Sequence, residues 1–212
     1  MNGTQSLRTP EIFHIKDNGA SVFGANQEWY PTEWQRRAGC GPTVCAHLLC
    51  YLSRTRAGME ALWQQEANTK EGFLLLMQEI WKYVTPGMMG VNSMEIFTGG
   101  ALRFAAKRGV VLSKKELAVP LSSHKRPSRE VFTEFIASAI SDDLPVAFLN
   151  LSNGTLDNLD NWHWVTMVSF DCETNKATMY DQGARSEIDI LRWLSTTTLG
   201  GGLVTLSAGE SV

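Results

Sequence analysis

A cysteine stands between two glycines in the segment Gln35-Arg-Arg-Ala-Gly-Cys40-Gly-Pro-Thr43, directly before residues with the apolar spacing of a helix. The N-terminal end of a helix favours negative charge, so it promotes the thiolate, which is the nucleophilic form of cysteine. The backbone N–H of Cys40 and the side-chain amide of Gln35 are then candidate donors to the oxyanion of an attacked carbonyl. The alternative for this segment alone is a loop-to-helix junction with a buried, unreactive thiol.

Two further segments carry a histidine and an acid. His163 opens a predicted strand in Asn161-Trp-His163-Trp-Val-Thr-Met-Val-Ser-Phe170, and Asp181 closes one in Lys176-Ala-Thr-Met-Tyr-Asp181. Taken singly, a histidine between tryptophans is typical of a packed or surface residue, and an aspartate at a strand end is typical of a turn. Each segment therefore indicates chemistry only in combination with the others.

The hairpin predicted for these two strands brings the histidine and the acid together. With a turn at residues 171–175, His163 faces Gly183 in the simplest register, and Asp181 is its diagonal neighbour on the same face. Diagonal neighbours lie about 7–8 Å apart, within reach of side chains that lean together. A carboxylate beside an imidazole fixes its tautomer and stabilises the imidazolium. Together with Cys40, these residues predict a Cys-His-Asp triad for nucleophilic catalysis.

These motifs resemble those of the papain-like cysteine peptidases. The similarity is strongest to the branch of bacteriocin-processing, double-glycine leader peptidases, whose nucleophile motif reads Gln…Cys-Gly-Pro before a helix. The resemblance implies a bacterial enzyme with Gln35 as the oxyanion side chain, Cys40 as the nucleophile, His163 as the base and Asp181 as the orienting acid. The sequence departs from the branch at Gly39 and in having no membrane transporter region. The resemblance therefore implies the fold and the chemistry more than the processing of a double-glycine leader.

The elements that position these residues follow from apolar periodicity and from capping residues. A helix is predicted from just after Cys40 to about Arg54, with Pro42 in its first turn, where a missing N–H costs nothing. Further helices are predicted at residues 59–68, 72–84, 93–108, 129–142 and 187–195. Strands are predicted at residues 110–112, 146–151, 165–170, 176–180 and 203–206, with residues 1–34 loop-rich and residues 113–127 an exposed connector.

This order of elements predicts an α+β fold, in which a helical N-terminal part packs on a C-terminal antiparallel sheet. With the resemblance, it implies a papain-like cysteine peptidase fold. The whole chain, residues 1–212, is predicted to be one domain. Its mainly helical lobe, residues 1–125, carries the nucleophile, and its sheet-rich lobe, residues 126–212, carries His163 and Asp181.

Composition and charge exclude several classes of protein. Of 212 residues, 43% are hydrophobic and 19% are charged, as in ordinary globular proteins. The net charge of -3 argues against a nucleic-acid partner. No stretch approaches the run of about 20 apolar residues that a membrane span requires, and residues 1–20 lack the apolar core of a signal peptide. We therefore predict a cytoplasmic protein with no membrane partner and with reduced cysteines.

Metal binding is not predicted. Cys40, Cys45 and Cys50 recur every five residues. On a helix, this spacing rotates successive side chains by about 500°, so they do not converge on one ion. His47 on the same helix is predicted to be a packed or surface residue. The sequence assigns no binding role to the methionines Met88, Met89 and Met94.

The predicted function is thiol-dependent hydrolysis of a peptide or amide bond through an acyl-enzyme, with no metal or organic cofactor. Two alternatives stay open. In the first, the same triad transfers the acyl group to an amine or a thiol instead of water, which makes the protein an acyltransferase. In the second, the chain is a catalytically inert, papain-like peptide-binding module, in which Cys40 is no more reactive than Cys45, Cys50 or Cys172.

Overall fold

The computed structural model describes residues 3–209, so the ends of the predicted domain, residues 1–2 and 210–212, lie outside it. The helices in the described part are α1 (Glu33–Ala38), α2 (Cys40–Thr55), α3 (Lys70–Trp81), α4 (Met94–Ala106), α5 (Arg129–Ser141) and α6 (Ile190–Thr196). The strands are β1 (Thr4–Ser6), β2 (His14–Asp17), β3 (Ala20–Phe23), β4 (Leu112–Val119), β5 (Val146–Asn150), β6 (His163–Asp171), β7 (Lys176–Asp181), β8 (Ala184–Asp189) and β9 (Gly201–Ala208). Short 3-10 turns lie at Pro10–Phe13, Gln27–Trp29, Glu60–Leu62 and Ser123–Lys125.

The central sheet has the strand order β4-β9-β5-β6-β7-β8, with β1 paired to β6 as a seventh strand. Every neighbouring pair in it is antiparallel. The remaining strands, β2 and β3, form a separate hairpin. The predicted α+β class, with helices packed on an antiparallel sheet, is confirmed. Two strands of this sheet, β1 and β4, belong to the first 125 residues, so both parts of the chain contribute to it.

Helices cover both faces of the central sheet. Along β5, Ala147 and Leu149 join the core formed with α2, α3 and α4, whereas Val146 and Phe148 join the core formed with α5. This alternation is the period of two that a strand imposes on its side chains. Apolar residues at successive positions are needed for such a strand, because both of its faces are buried.

The central helix of the first core is α2. Its residues from Cys40 to Ser53 are all buried, and it contacts β6 and α3. The predicted helix is confirmed, with Pro42 in the first turn. The predicted helix at residues 129–142 is confirmed as α5, and its predicted cap, Ser128, accepts a hydrogen bond from the N–H of Val131 at 3.3 Å. No helix within residues 3–209 has the length and apolar character needed to cross a lipid bilayer.

The predicted helix at residues 59–68 is wrong. Only Glu60–Leu62 form a single 3-10 turn, and the rest of the segment has no regular secondary structure. Trp63 and Ala67 are buried in the core, and the carbonyl of Asn68 accepts a hydrogen bond from the N–H of Lys16 at 2.8 Å. The apolar residues of this segment therefore anchor a loop against β2 instead of forming one face of a helix.

Two other predictions fail at the edges of the sheet. The predicted connector at residues 113–127 contains most of β4, and the predicted helix at residues 187–195 begins as β8 and becomes helical only at Ile190. Both strands lie at an edge of the sheet. Edge strands carry charged, exposed side chains that discourage pairing with other chains, as Lys114, Lys115 and Glu116 do in β4. Those charges mask the alternating apolar pattern by which a strand is recognised in a sequence.

Candidate active site

Cys40 is the first residue of α2 and follows α1 after a single residue, Gly39. Its exposed fraction is 8%, and it lines a cavity of about 340 Å³. At the first position of a helix, the backbone N–H has no partner within that helix, and the helix dipole favours a negative charge. The thiol therefore lies between the core and the cavity, at a point that suits a thiolate.

The two glycines that flank Cys40 are required by packing. A Cβ atom on Gly39 would lie 2.6 Å from Cε2 of Tyr30, and a Cβ atom on Gly41 would lie 2.6 Å from Cβ of Val91. Real Cβ atoms do not approach other carbons so closely, so any larger residue would displace one of these neighbours. The glycines thus allow Tyr30 and Val91 to pack against the start of α2 and to hold Cys40 in place.

His163 is the first residue of β6, and Asp181 is the last residue of β7. Nε2 of His163 lies 2.8 Å from Oδ1 of Asp181. Because a carboxylate can only accept a hydrogen bond, Nε2 carries the proton and donates it. The exposed fraction of His163 is 6%. The carboxylate therefore fixes the orientation of a nearly buried imidazole ring.

A β-bulge sets the register that brings these two side chains to one face. Ser169 pairs with Thr178 near the turn, but Thr166 pairs with Tyr180 beyond an extra residue, Val168. The pairing of Thr166 with Tyr180, continued by three residues along both strands, places His163 opposite residue 183. Asp181 is then the diagonal neighbour of His163. Without the bulge, the strand would slip by one residue, and the two side chains would point to opposite faces.

The second partner of the His163 ring is Cys40. Burial disfavours a charge on this imidazole, but the hydrogen bonds and negative charges of Asp181 and Cys40 outweigh burial and raise the pKa of His163 to about 10. Since Asp181 occupies Nε2, the nitrogen that remains for the thiol is Nδ1. The ring is therefore protonated at neutral pH in this arrangement, and an imidazolium is the positive partner that a thiolate needs.

The other cysteines lie in different surroundings. All four cysteines are free thiols. Burial raises the pKa of Cys45, and burial raises the pKa of Cys50 to about 12, with the positive charge of Arg54 opposing that shift. Cys172 is half-buried and lies in the turn between β6 and β7. Of these thiols, Cys40 alone has a histidine as a partner.

His47 is a packed residue. Its exposed fraction is 1%, and its Nε2 accepts a hydrogen bond from the N–H of Ala25 at 2.8 Å. Its Nδ1 therefore carries the proton and donates to Oγ1 of Thr166 at 2.8 Å. Burial lowers the pKa of His47 to about 3, so the ring stays neutral and ties α2 to β6 and to the N-terminal segment.

The predicted oxyanion side chain, Gln35, lines neither the cavity of about 340 Å³ nor the pocket of about 10 Å³ that reach Cys40. Gln35 is on α1, where its Oε1 accepts a hydrogen bond from Oγ1 of Thr32 at 3.0 Å. Within residues 3–209, the side-chain nitrogen of Gln35 makes no hydrogen bond. Gln27 lines a pocket of about 10 Å³ that also reaches Cys40, and its side-chain nitrogen donates to the carbonyl of Arg36 at 2.7 Å. Gln27 lies outside the motif around Cys40, so no pattern in the sequence assigns it to the site.

Apart from Cys40, the walls of the cavity beside it are formed by residues other than the predicted triad and Gln35. They come from α1, from the turn at residues 87–90 and from the residue before His163. The side chains that form them are Trp34, Arg37, Met88, Met89 and Trp162. The signal in the sequence is weak, because these residues are far apart along the chain and meet only through tertiary packing.

A larger cavity of about 570 Å³ lies at the start of α5, away from Cys40. Arg126, from the basic stretch at residues 124–129, lines this cavity, but its guanidinium is already hydrogen-bonded to the backbone. It donates to the carbonyls of Pro120, Leu121, Leu194 and Thr197. Arg126 therefore joins the loop after β4 to α6, and neither a cysteine nor a histidine of the described residues lines this cavity.

Comparisons with known proteins find similarity in structure alone. No protein-family model matches the sequence, and a search of curated protein sequences gave no match. Among solved structures, the chain is similar to xylellain, a cysteine protease from Xylella fastidiosa, with a TM-score of 0.44 and 10% identity, covering 98% of this chain and 86% of that chain. It is also similar to the Pseudomonas avirulence protein AvrPphB, with a TM-score of 0.34 and 10% identity, covering 84% of this chain and 95% of that chain. At these values, the function has to be argued from the residues of this chain.

Proposed function

We propose that the chain is a papain-like cysteine peptidase or amidase that works as a single domain, with Cys40 as the nucleophile and His163 as the base. One observation carries the proposal. The His163 ring donates from Nε2 to Asp181 at 2.8 Å and has the Cys40 thiol as its other partner, at the edge of an open cavity. A nucleophile, a base and a group that orients the base are the parts that thiol catalysis requires.

In the first half of the reaction, Sγ of Cys40 attacks the carbonyl carbon of a peptide or amide bond. A C–S bond forms, and the carbonyl π electrons move to oxygen. The backbone N–H of Cys40 and the side-chain amide of Gln35 donate to this oxyanion. As the oxyanion collapses, the C–N bond breaks, and Nδ1 of His163 gives its proton to the leaving amine. An acyl thioester on Cys40 remains.

In the second half, neutral His163 takes a proton from a water molecule, whose oxygen attacks the thioester carbon. The C–S bond breaks, the acid product leaves, and the thiolate of Cys40 forms again beside the imidazolium. Asp181 stabilises the imidazolium at both ends of the cycle because it accepts the Nε2 proton throughout. This cycle uses no metal and no organic cofactor.

The free thiols support a reducing, cytoplasmic setting for this chemistry. The substrate we propose is a peptide. Cleavage after paired glycines, as in the double-glycine leader peptidases, is the narrower hypothesis that the motif around Cys40 suggests. The apolar cavity beside Cys40 favours a larger side chain than glycine, for the reasons given in the next subsection.

Sub-stoichiometric labelling with iodoacetamide near neutral pH, mapped by mass spectrometry, tests the proposal. We expect labelling of Cys40 at least about tenfold faster than that of the other thiols, and a slow reaction in His163→Ala. His124→Ala, which removes an exposed histidine, is the matched control and should label like the wild type. Equal, slow labelling of all four cysteines in a folded sample would leave the inert binding module as the better account.

Hydrolysis and acyl transfer are separated by the products. Incubation with a mixture of synthetic peptides in the presence of glycine amide, followed by mass spectrometry, shows free acids if water is the acceptor. We expect free acids, because the cavity beside Cys40 is open to solvent. Conjugates with glycine amide as the main product would identify an acyltransferase instead.

A further inference from the structure

Large apolar side chains are gathered around the cavity of about 340 Å³ beside Cys40. Trp34, Met88, Met89 and Trp162 have exposed fractions of 46%, 97%, 58% and 44%. They are four of the ten large apolar residues that are exposed within residues 3–209, and the other six do not line this cavity. Single exposed apolar residues are normal, but a contiguous group around a concave opening is typical of a binding site.

The methionines are held over Cys40 by the elements that carry the proposed nucleophile and base. The turn that bears them is closed by two backbone hydrogen bonds between Gly87 and Gly90, of 3.1 and 3.0 Å. The next residue, Val91, packs against Gly41 of α2 and accepts a hydrogen bond from Nε1 of Trp164 at 2.6 Å. The base of the turn is therefore fixed to α2 and to β6, while Met88 and Met89 at its tip stay exposed.

Trp162 also lines the cavity, in a backbone conformation that aromatic residues rarely adopt. Its φ is 56°, in the left-handed region, and it directly precedes His163. Such conformations carry strain and are concentrated at functional sites. The residue is half exposed, so burial of its ring in the core does not account for its presence there.

Arg37 supplies a positive charge at this otherwise apolar opening. It is exposed and lines the cavity, and within residues 3–209 its guanidinium makes no hydrogen bond or ion pair. Its neighbour Arg36, in contrast, donates to the carbonyls of Tyr30 and Pro31 and lies 3.9 Å from a carboxylate oxygen of Glu28. No acidic residue of the described part lines the cavity. An unpaired guanidinium binds a carboxylate well, through two parallel hydrogen bonds.

We propose that this cavity is a specificity site for a peptide that carries a bulky apolar or aromatic side chain next to an acidic residue, close to the bond that is cut. The proposal rests on the function proposed above. The apolar side chain packs between Trp162 and the methionines, and the neighbouring carboxylate pairs with Arg37. A volume of about 340 Å³ lies within the range of pockets that enclose small ligands, so it accommodates one large side chain and part of its neighbour.

Peptidyl vinyl sulfones test this proposal, because their slow addition to a thiol is accelerated when the peptide part has bound beside that thiol. Four acetylated probes pair Phe or Gly with Glu or Gln at the two positions nearest the reactive group. The second-order rate of Cys40 modification is measured for each probe, and iodoacetamide, which is too small to sense the cavity, is measured alongside. We expect the probe with Phe and Glu to react fastest, by about tenfold over its Gly counterpart and by about fivefold over its Gln counterpart.

Two variants assign the preference to named residues. Arg37→Gln should abolish the difference between the Glu and Gln probes, whereas Arg8→Gln removes an exposed arginine elsewhere and should keep it. Trp162→Gly should reduce the preference for Phe without lowering the melting temperature, because glycine adopts a positive φ freely. Asn175→Gly, at a φ of 57° in the β6–β7 turn, is the control for the change in backbone strain and should not alter the preference.

The outcomes separate this proposal from the proposed function. If iodoacetamide labels Cys40 selectively but the four probes react at equal rates, the specificity site is refuted and the function stands. If iodoacetamide shows no selectivity for Cys40, the proposed function itself is refuted. A melting temperature that falls sharply in Trp162→Gly would show that the tryptophan supports the fold, and it would overturn its assignment to substrate binding.

Discussion

Nε2 of His163 lies 2.8 Å from Oδ1 of Asp181, although the two residues are 18 positions apart in the sequence. Both belong to one hairpin, and the bulge at Val168 decides that they share a face. Cys40 reaches the same imidazole from α2, a separate element. The proposed triad therefore combines a local relationship, set by strand register, with a tertiary one, set by the packing of α2 on β6.

Replacement of Asp181 tests the local part of this arrangement. Asp181→Ala removes the acceptor of the Nε2 proton, so the imidazole loses its fixed orientation and its stabilised charge. We expect kcat for peptide hydrolysis to fall by about 100-fold or more, with KM little changed. Asp157→Ala, an exposed aspartate in the loop before β6, is the matched control and should keep full activity. Equal activity of the two variants would exclude Asp181 from the mechanism.

The oxyanion donor is tested by a pair of glutamine variants. Gln35→Ala should lower kcat by about 100-fold to 1,000-fold if its free side-chain nitrogen donates to the oxyanion. Gln27→Ala should have a smaller effect, because its nitrogen already donates to the carbonyl of Arg36. Steady-state kinetics of both variants decide the assignment. A large loss of kcat in Gln27→Ala alone would transfer the role to Gln27, which lines a pocket with Cys40.

The charge of His163 is accessible to NMR titration of the histidine rings. We expect a pKa of about 10 for His163, and a lower pKa in Cys40→Ala and in Asp181→Ala, because each variant removes one of the groups that raise it. In Cys40→Ala, Asp181 still raises the pKa of His163 above its ordinary value of about 6.5. The raised pKa stabilises the folded state fully below about pH 6.5, and this stabilisation is lost as the pH rises through the pKa of the folded state. A wild-type His163 that titrates near 6.5 would contradict the proposed ion pair.

His47 makes the stability of the fold depend on pH in the opposite sense from His163. Its folded-state pKa is lowered to about 3 by burial, whereas an unfolded chain binds this proton below about pH 6.5. The free energy of unfolding should therefore fall as the pH drops below about 6.5, by up to about 1.4 kcal/mol per pH unit from this residue. Urea unfolding between about pH 5 and 6.5 measures the slope.

A glutamine at position 47 isolates that contribution. His47→Gln should show a weaker dependence of stability on pH in this range, even though its stability at neutral pH is lower. His124→Gln, at an exposed position, should keep the wild-type slope. If the two variants have equal slopes, the buried imidazole is not the group that titrates.

The parts of the fold that sequence analysis predicted correctly are those with a strong local pattern. The helix from Cys40 carries apolar residues on every side, and the hairpin of β6 and β7 has two apolar strands joined by a polar turn. The edge strands β4 and β8 were missed because exposed, charged side chains hide their alternation. The segment at residues 59–68 was assigned to a helix because its apolar residues are buried by tertiary packing alone.

The site shows the same difference between features set by a local pattern and features set by tertiary packing. The diagonal relation of His163 to Asp181 was predicted from a turn at residues 171–175 and no bulge. In the structure Asp171 already pairs with Lys176, and the bulge at Val168 restores the predicted register at His163. The walls of the cavity do not follow from a local pattern, since Trp34, Met89 and Trp162 meet only once α1, the turn at residues 87–90 and the start of β6 are packed together. No pattern in the sequence reveals that Trp162 has a positive φ, or that the guanidinium of Arg37 makes no ion pair within residues 3–209.

The contact between Gly41 and Val91 supports a last prediction about how the start of α2 is held. Gly41→Ala places a methyl group 2.6 Å from Cβ of Val91. Because Val91 is anchored by Trp164, it cannot move away freely, and we expect a loss of about 1–3 kcal/mol in the free energy of unfolding. Gly99→Ala in α4 meets only the flexible end of Arg103, so it should stabilise the protein by up to about 1 kcal/mol.

A double variant distinguishes this contact from a general intolerance of change at the helix start. Val91→Gly removes the Cβ atom and the two methyl groups that Gly41→Ala would meet, so the two substitutions together should cost less than the sum of their separate effects. Additive losses would mean that the side chain of Val91 is not what excludes a Cβ atom at position 41. Because Gly41 follows Cys40 directly, we also expect iodoacetamide labelling of Cys40 to slow in Gly41→Ala and to recover in the double variant.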